Sequence, residues 1–172
     1  MSNSIRVAII SDTHSVLHSE IKAIVEQCDI AIHAGDICNA DVLTAMQPKS
    51  GKVIAVAGNN DIPHLWPEAQ FDIVNNLPDI AELDLPGGKL KIEHGHRHCM
   101  QKPDHADLRA AHPEARAIIY GHTHKKIIDD YEYPWVINPG AAGHQRNRGG
   151  SSCLVLIAST DNWSIENYRF TD

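Results

Sequence analysis

The order of apolar segments predicts an α/β protein in which two β-sheets pack face to face and carry helices on their outer sides. Three observations lead there. The first third of the chain alternates strand and helix signals, β-α-β-α-β, which implies a parallel sheet with right-handed crossovers. The second half is rich in strand signals and contains a hairpin, so it is antiparallel in part. No stretch between the two reads as a linker, and the 172 residues fit one domain, residues 1–172.

The elements follow in order. Ile5–Ile10 is a nearly continuous apolar run, as expected of a strand buried on both faces. Ser19–Gln27 carries Ile21, Ile24 and Val25 at helical spacing. Ile30–His33 is a second strand, and Asp41–Met46 a short helix with Asn39 or Asp41 as its cap. Val53–Ala57 is the third strand. Pro63–Pro78 reads as a loop, a lid or an interface. Ile80–Leu85 and Lys89–Glu93 flank Pro86-Gly87-Gly88, a hairpin signal. Asp104–Ala111 is helical, and Ala117–Tyr120, Lys126–Asp130, Trp135–Ile137, Cys153–Ile157 and Ser164–Phe170 are strands.

Composition narrows the function. Aromatic residues make up only 5% of the chain, so the core rests on Val, Ile, Leu and Ala. A net charge of −7 without a basic stripe argues against a stable nucleic-acid partner. The four cysteines, at 28, 38, 99 and 153, form no C-x-x-C pair and read as reduced thiols. The polar opening Met1–Ser4 lacks the basic and apolar regions of a leader. No apolar run approaches the roughly 18–20 residues of a membrane span. A cytoplasmic location without a membrane partner is the expectation. The unusual figure is 12 histidines, the commonest metal ligand.

Polar clusters stand at or just after five predicted strand ends: Ser11-Asp12-Thr13-His14, Ala34-Gly35-Asp36, Ala57-Gly58-Asn59-Asn60-Asp61, Glu93-His94-Gly95-His96 and Gly121-His122-Thr123-His124. Ligand sites in α/β sheets gather at carboxyl ends of strands. A lone Asp-x-His is most often a cap or a surface loop, and a lone Gly-Asp a turn. Recurrence at successive strand ends changes that weighing, because independent loops have no reason to place carboxylate, amide and imidazole together on one rim. The set Asp12, His14, Asp36, Asn59, His94, His122 and His124 mixes oxygen and nitrogen ligands, which suits Mn²⁺, Fe, Ni²⁺ or Zn²⁺ in open, reactive positions. Seven ligands are too many for one ion with a free site and suffice for two divalent ions sharing a bridging carboxylate, the usual clamp for phosphoryl displacement.

The series Asp12-x-His14, Gly35-Asp36, Gly58-Asn59-x-Asp61, His94-Gly95-His96 and Gly121-His122-x-His124 resembles the calcineurin-like metallophosphoesterase superfamily. With Asn138-Pro139-Gly140 and the short length, it is similar to the small bacterial and archaeal phosphodiesterase branch. The resemblance runs from Asp12 to Gly140. It implies a four-layer α/β/β/α sandwich of two mixed sheets, the metallo-dependent phosphatase fold. It also implies a phosphodiesterase that hydrolyses P–O bonds by attack of a metal-bridging hydroxide, with manganese the expected metal. Asp12, His14, Asp36 and His124 would hold one ion, and Asn59, His94 and His122 the other, with Asp36 bridging. Asp61 would support a neighbouring group by hydrogen bonding. The substrate would be a small phosphodiester, a nucleotide among the candidates, and the chain a homodimer or homotetramer.

One position departs from the pattern. Many members carry His after the Gly-Asn as a general acid, and here Asn60 stands in its place. Asn60 can donate to a phosphate oxygen but cannot deliver a proton, and losing acid catalysis costs about 10²–10⁴-fold. His96 is the replacement candidate. Arg97 and His98 read as solvated surface in preference to contacts for substrate phosphate, His33 as a core histidine with a hydrogen-bond partner, and Arg146 and Arg148 as a basic patch in a Gly-rich loop, a plain surface loop in preference to a substrate contact. Two other functions share the scaffold. A phosphomonoesterase or protein phosphatase wants an acid where Asn60 stands. A non-catalytic scaffold, like the retromer subunit of this superfamily, predicts missing histidine ligands, and none is missing.

Overall fold

The computed structural model describes residues 4–144 and 146–171. The first three residues, part of the polar N-terminal opening, lie outside that range. Among the described residues, ten strands form two five-stranded sheets. The first holds β1 (Ile5–Ile10), β2 (Ile30–His33), β3 (Lys52–Ala55), β9 (Ser151–Ala158) and β10 (Trp163–Phe170), in the order β10-β9-β1-β2-β3. The second holds β4 (Ile80–Leu85), β5 (Gly88–Glu93), β6 (Ala117–Ile119), β7 (Lys126–Asp129) and β8 (Trp135–Pro139), in the order β4-β5-β6-β8-β7. The chain thus builds β1–β3, crosses to the second sheet, and returns.

Strands β1, β2 and β3 are parallel, as the alternating pattern predicts. Strands β5, β6 and β8 are parallel too, while β4 and β7 pair antiparallel at the edges of their sheet. Strand β9 runs antiparallel to both β1 and β10, so both sheets are mixed. The period of two along each strand divides its side chains between two cores. In β1, Val7 and Ile9 face the inter-sheet layer, with Ile32, Leu154 and Leu156 beside them and Ile92, Ile119 and Ile137 opposite. Ala8 and Ile10 face outward onto helices α1 (Ser19–Gln27) and α2 (Ala40–Ala45), through Ile21, Val25 and Val42. On the far side, Leu108 of helix α4 (His105–Ala111) covers Ile118 and Val136. The layers read α/β/β/α. Strands covered on both faces explain the continuous apolar runs, and aliphatic side chains fill nearly all of both layers.

Helix ends follow local chemistry. The side chains of Asn39 and Asp104 accept from the N–H groups of Asp41 and Ala106 and cap α2 and α4. One expectation needs correction: 63–78 is not a plain loop. It contains 3₁₀ turns at Pro63–Leu65 and Glu68–Gln70 and helix α3 (Phe71–Asn75). Trp66 and Val74 are buried there against the α1–α2 layer, and that packing, rather than any 3.6-residue pattern, orders the segment. None of the four cysteines is in a disulfide. Among the described residues, no helix is long and apolar enough to cross a membrane.

Candidate metal centre

The five polar clusters meet where the carboxyl ends of β1, β2 and β3 face those of β5 and β6. Backbone bonds extend the sheets past the last strand residues and hold the loops: Asp12 N–H donates to Gly35 O (2.9 Å), His14 N–H to Asp36 O (3.1 Å) and Gly121 N–H to His94 O (3.1 Å). Asp12, His14, Asp36, His122 and His124 all have positive φ, between 45° and 70°. That region is costly for residues other than glycine, and such strain gathers at functional sites. The sharp turns aim the five side chains inward. Gly58 makes this possible from the other side, because a Cβ there would meet the Asp36 nitrogen and Oδ1.

Asp12, His14, Asp36 and His124 each place a ligand atom so that all four lie within 4.8 Å of one another. His14 Nε2 is 3.1 Å from His124 Nε2 and 3.7 Å from Asp36 Oδ2, and His124 Nε2 is 3.4 Å from Asp12 Oδ1. On the other side of Asp36, His94 Nε2 is 3.4 Å from Asp36 Oδ1 and 3.2 Å from Asn59 Oδ1, which is itself 2.9 Å from His122 Nδ1. The two oxygens of Asp36 thus face the two halves of the group.

The donor set suits cations. His94 Nδ1 lies 2.7 Å from Ala34 O and His122 Nε2 lies 2.8 Å from Met100 O, so these nitrogens donate. Their other nitrogens then present lone pairs to oxygens that are also acceptors, a repulsive juxtaposition unless positive charge lies between them. Asp12 Oδ1 is buried and has no hydrogen-bond partner. Burial, reinforced by Asp36, pushes the Asp12 carboxyl up to about 7. Burial by itself would lower His94, but its contact with Asp36 and the charges of Asp12 and Asp36 overcome this and raise it to about 9. Asp36 shows the reverse: burial is outweighed by His94 and by the Asn60 donors, which hold the carboxyl well below the usual range. The field that draws a proton onto a buried imidazole is the field that would attract a divalent cation.

The remaining sequence-derived residues sit close by. Asp61, 5% exposed, accepts from the N–H groups of Ile37, Cys38 and Gly58 and from the Trp66 indole, so it ties the Gly35-Asp36 and Gly58-Asn59 loops together. Asn60 turns its amide to Asp36, with Nδ2 donating to Oδ2 at 2.7 Å. The ring of His96 lies 5.4 Å from that of His94 and 6.2 Å from that of His122, and its buried Nδ1 has no partner. His33 is fully buried, as a core histidine should be: its Nδ1 accepts from Gly35 N–H and its Nε2 lies 2.9 Å from Thr13 Oγ1.

Sequence reasoning missed two supports. Asn138, fully buried, donates to Gly121 O (2.7 Å) and Thr123 Oγ1 (3.2 Å) and so shapes the loop of His122 and His124. Its place before Pro139-Gly140 was the available signal. Glu93, 3% exposed, accepts from His112 Nε2 (2.7 Å) and His98 Nε2 (3.1 Å). His98 is therefore anchored to the core end of β5 and is not solvated surface, whereas Arg97 is exposed and pairs with Asp79.

Fold and rim together define a class, the phosphoesterases that gather metal ligands on the rim of an α/β/β/α sandwich. The family model described as calcineurin-like phosphoesterase superfamily domain matches residues 5–161, and the chain belongs to that superfamily. A phosphodiesterase of Methanocaldococcus jannaschii is 28% identical over 142 residues, 78% of this chain and 82% of that protein. A probable metallophosphoesterase of the same organism is 29% identical over 148 residues, 82% of this chain and 70% of that one. Among solved structures, Vps29 of Entamoeba histolytica superposes with a TM-score of 0.74 at 17% identity, over 97% of this chain and 100% of that one. A structure described as a novel archaeal phosphodiesterase superposes with a TM-score of 0.69 at 23% identity, over 95% and 100%. At these identities the two structures speak to fold alone.

Proposed function

We propose that the protein is a phosphodiesterase with two divalent ions, one held by Asp12, His14, Asp36 and His124 and the other by Asp36, Asn59, His94 and His122. The observation that carries this reading is the inward convergence of carboxylate, amide and imidazole ligand atoms, with Asp12 Oδ1 buried and without a hydrogen-bond partner. Ions held there would supply an activated water at neutral pH and neutralise charge on the phosphate oxygens. Manganese is the ion we expect, with nickel, iron and zinc as alternatives. The substrate class is a small phosphodiester, nucleotides included.

The chain's own residues do the positioning. Asp61 fixes two ligand loops through their N–H groups, Asn138 fixes a third, and Asn60 orients Asp36. Among the described residues, His96 is the imidazole outside the ligand set whose ring nitrogen is buried and unpartnered, and we assign it the proton delivered to the leaving oxygen. Burial, with the neighbouring positive His94, lowers its pKa, so the protonated form that acts as the acid gains population as pH falls below neutrality.

The test is hydrolysis of bis(p-nitrophenyl) phosphate with Mn²⁺ by wild type, Asp36→Ala and His122→Ala. Removing a ligand should cost more than the about 10–100-fold typical of a residue that merely orients one. Wild-type rates in both variants would show the site to be elsewhere. Elemental analysis showing no bound metal, together with no response to added Mn²⁺, would return the chain to the non-catalytic reading. A faster reaction with p-nitrophenyl phosphate would favour a monoesterase.

A further inference from the structure

A cavity of about 290 Å³ opens beside the centre, with His122 and His124 on its inner wall. Lys102, Lys125, Arg146 and Arg148 stand on its outer walls, all four exposed. Elsewhere six of the eleven other lysines and arginines pair with a carboxylate, among them Arg6 with Glu166, Lys89 and Lys91 with Glu82, Arg97 with Asp79, and Arg109 with Asp129; the unpaired ones outside the cavity, Lys49, Lys52, Arg116, Lys126 and Arg169, do not line this cavity. The four at the cavity have no carboxylate partner among the described residues. Arg146 also lines a second cavity, together with His14, Cys38 and Asn60. Its charge acts on a histidine of each half of the ligand group, His14 and His122.

Four unpaired cations in a chain of net charge −7 form a local field opposite to that of the whole molecule. Long-range attraction of anions is weak here, so selectivity must come from contact at the cleft itself. The volume sits at the lower end of ligand pockets, about 300–1,000 Å³, which admits one nucleotide-sized arm and not a strand. Guanidinium groups suit phosphate because their forked donors match its oxygens.

We propose that this cleft is a subsite for a second phosphate, so that the preferred substrate is a phosphodiester whose nucleoside arm carries a further phosphate group. The assignment rests on reading the adjoining centre as a phosphodiesterase site. The basic patch at Arg146 and Arg148 then belongs to substrate recognition and is not a plain surface loop.

Two chromogenic substrates with the same scissile bond test it: thymidine 5′-(p-nitrophenyl phosphate), and the same compound bearing a 3′-phosphate. Wild type should favour the second by roughly tenfold in kcat/KM, the difference residing in KM, as expected of one or two charge-assisted contacts. Arg146→Ala, Arg148→Ala and Lys125→Ala should each reduce that preference by roughly threefold or more, and the triple variant should abolish it. Lys49→Ala, at an exposed lysine away from the cleft, should keep it. Calorimetry on the purified full chain gives a readout independent of turnover: thymidine 3′,5′-bisphosphate should bind more tightly than thymidine 5′-monophosphate, and the triple variant should lose the difference. Equal kcat/KM and equal binding in wild type, or a preference that survives in the triple variant, would overturn the subsite. Absence of hydrolysis with the binding preference intact would overturn the phosphodiesterase reading and leave the subsite standing.

Discussion

Replacing Asp61 by alanine should loosen the metal-binding rim without removing a ligand. The carboxylate accepts four donors: Ile37 N–H at 2.9 Å, Cys38 N–H at 2.8 Å, Gly58 N–H at 2.8 Å and the Trp66 indole at 3.2 Å. A bond to a charged acceptor contributes about 1.5–3 kcal/mol, and a stranded buried donor costs about 1–3 kcal/mol. Summed without correction, four such bonds would exceed about 6 kcal/mol. Two effects reduce this. Burial raises the Asp61 pKa against the pull of its donors, so the native state already bears a desolvation cost that alanine removes. Water also enters the space vacated. A loss of about 3–4 kcal/mol is the expected net. In urea with EDTA present, at a slope of about 1–3 kcal/mol per molar, the midpoint should fall by at least ~1 M with the slope unchanged. Metal affinity, titrated by calorimetry, should weaken about 10–100-fold because the Asp36 and Asn59 loops lose their common anchor. A loss below ~1 kcal/mol with metal affinity intact would refute this account, since buried donors cannot be released that cheaply.

Three further outcomes are expected. His33 is held neutral by burial and by the positive His94, with its pKa lowered to about 3. Since its folded value lies below the unfolded one of about 6.5, its contribution is intact above pH 6.5 and is lost as pH falls toward 3. Between pH 6.5 and 5 that loss is about 2 kcal/mol, and urea unfolding with EDTA should show His33→Gln losing less by that amount. Gly58→Ala should abolish activity on the aryl diester by pushing Asp36 aside, whereas Gly51→Ala, with φ of 72° and no atom nearby, should leave activity intact and cost about 1 kcal/mol of stability. His96→Gln should depress hydrolysis of a phenyl diester about 10²-fold or more while sparing a dinitrophenyl one, whose leaving group needs no proton; equal losses on both would remove His96 from proton transfer.

Much of the fold was legible because both faces of the parallel strands are covered. Ile5–Ile10 and Ile30–His33 could be bounded from apolar runs alone, and the Ser19–Gln27 helix from its spacing. The segment 63–78 was not legible, since Trp66 and Val74 are held by distant packing and no local period marks them. Boundaries shifted where a neighbouring strand, rather than composition, ends the ladder: β9 begins at Ser151 because Phe170 pairs with it. At the rim, the ligand types could be read from the motifs. Their support could not, because Asn138 reaches Gly121 across 17 positions and Glu93 joins His112 across 19. Arg146 was legible as a basic residue with a surface loop preferred to a substrate contact, since nothing in a linear pattern shows that it lines a cavity with His14 and Asn60.

Asn60 connects the two halves of this picture. A residue at this position can either face the leaving group or steady the Asp36 carboxylate, and here it does the second: its backbone N–H donates to Asp36 Oδ1 at 2.9 Å and its amide to Oδ2 at 2.7 Å. Both bonds go to the charged form of Asp36 and help hold that carboxyl ionised, ready for a cation on either side. An imidazolium there would compete with a metal for the same oxygens. The asparagine thus gives up proton delivery and gains a fixed Asp36, and the leaving group must find its stabilisation elsewhere. Arg146 adjoins Asn60 in the same cavity and carries a permanent charge. Under the proposed reading, such a site favours substrates that depart as stable anions or that bring a second phosphate into contact with the cationic wall.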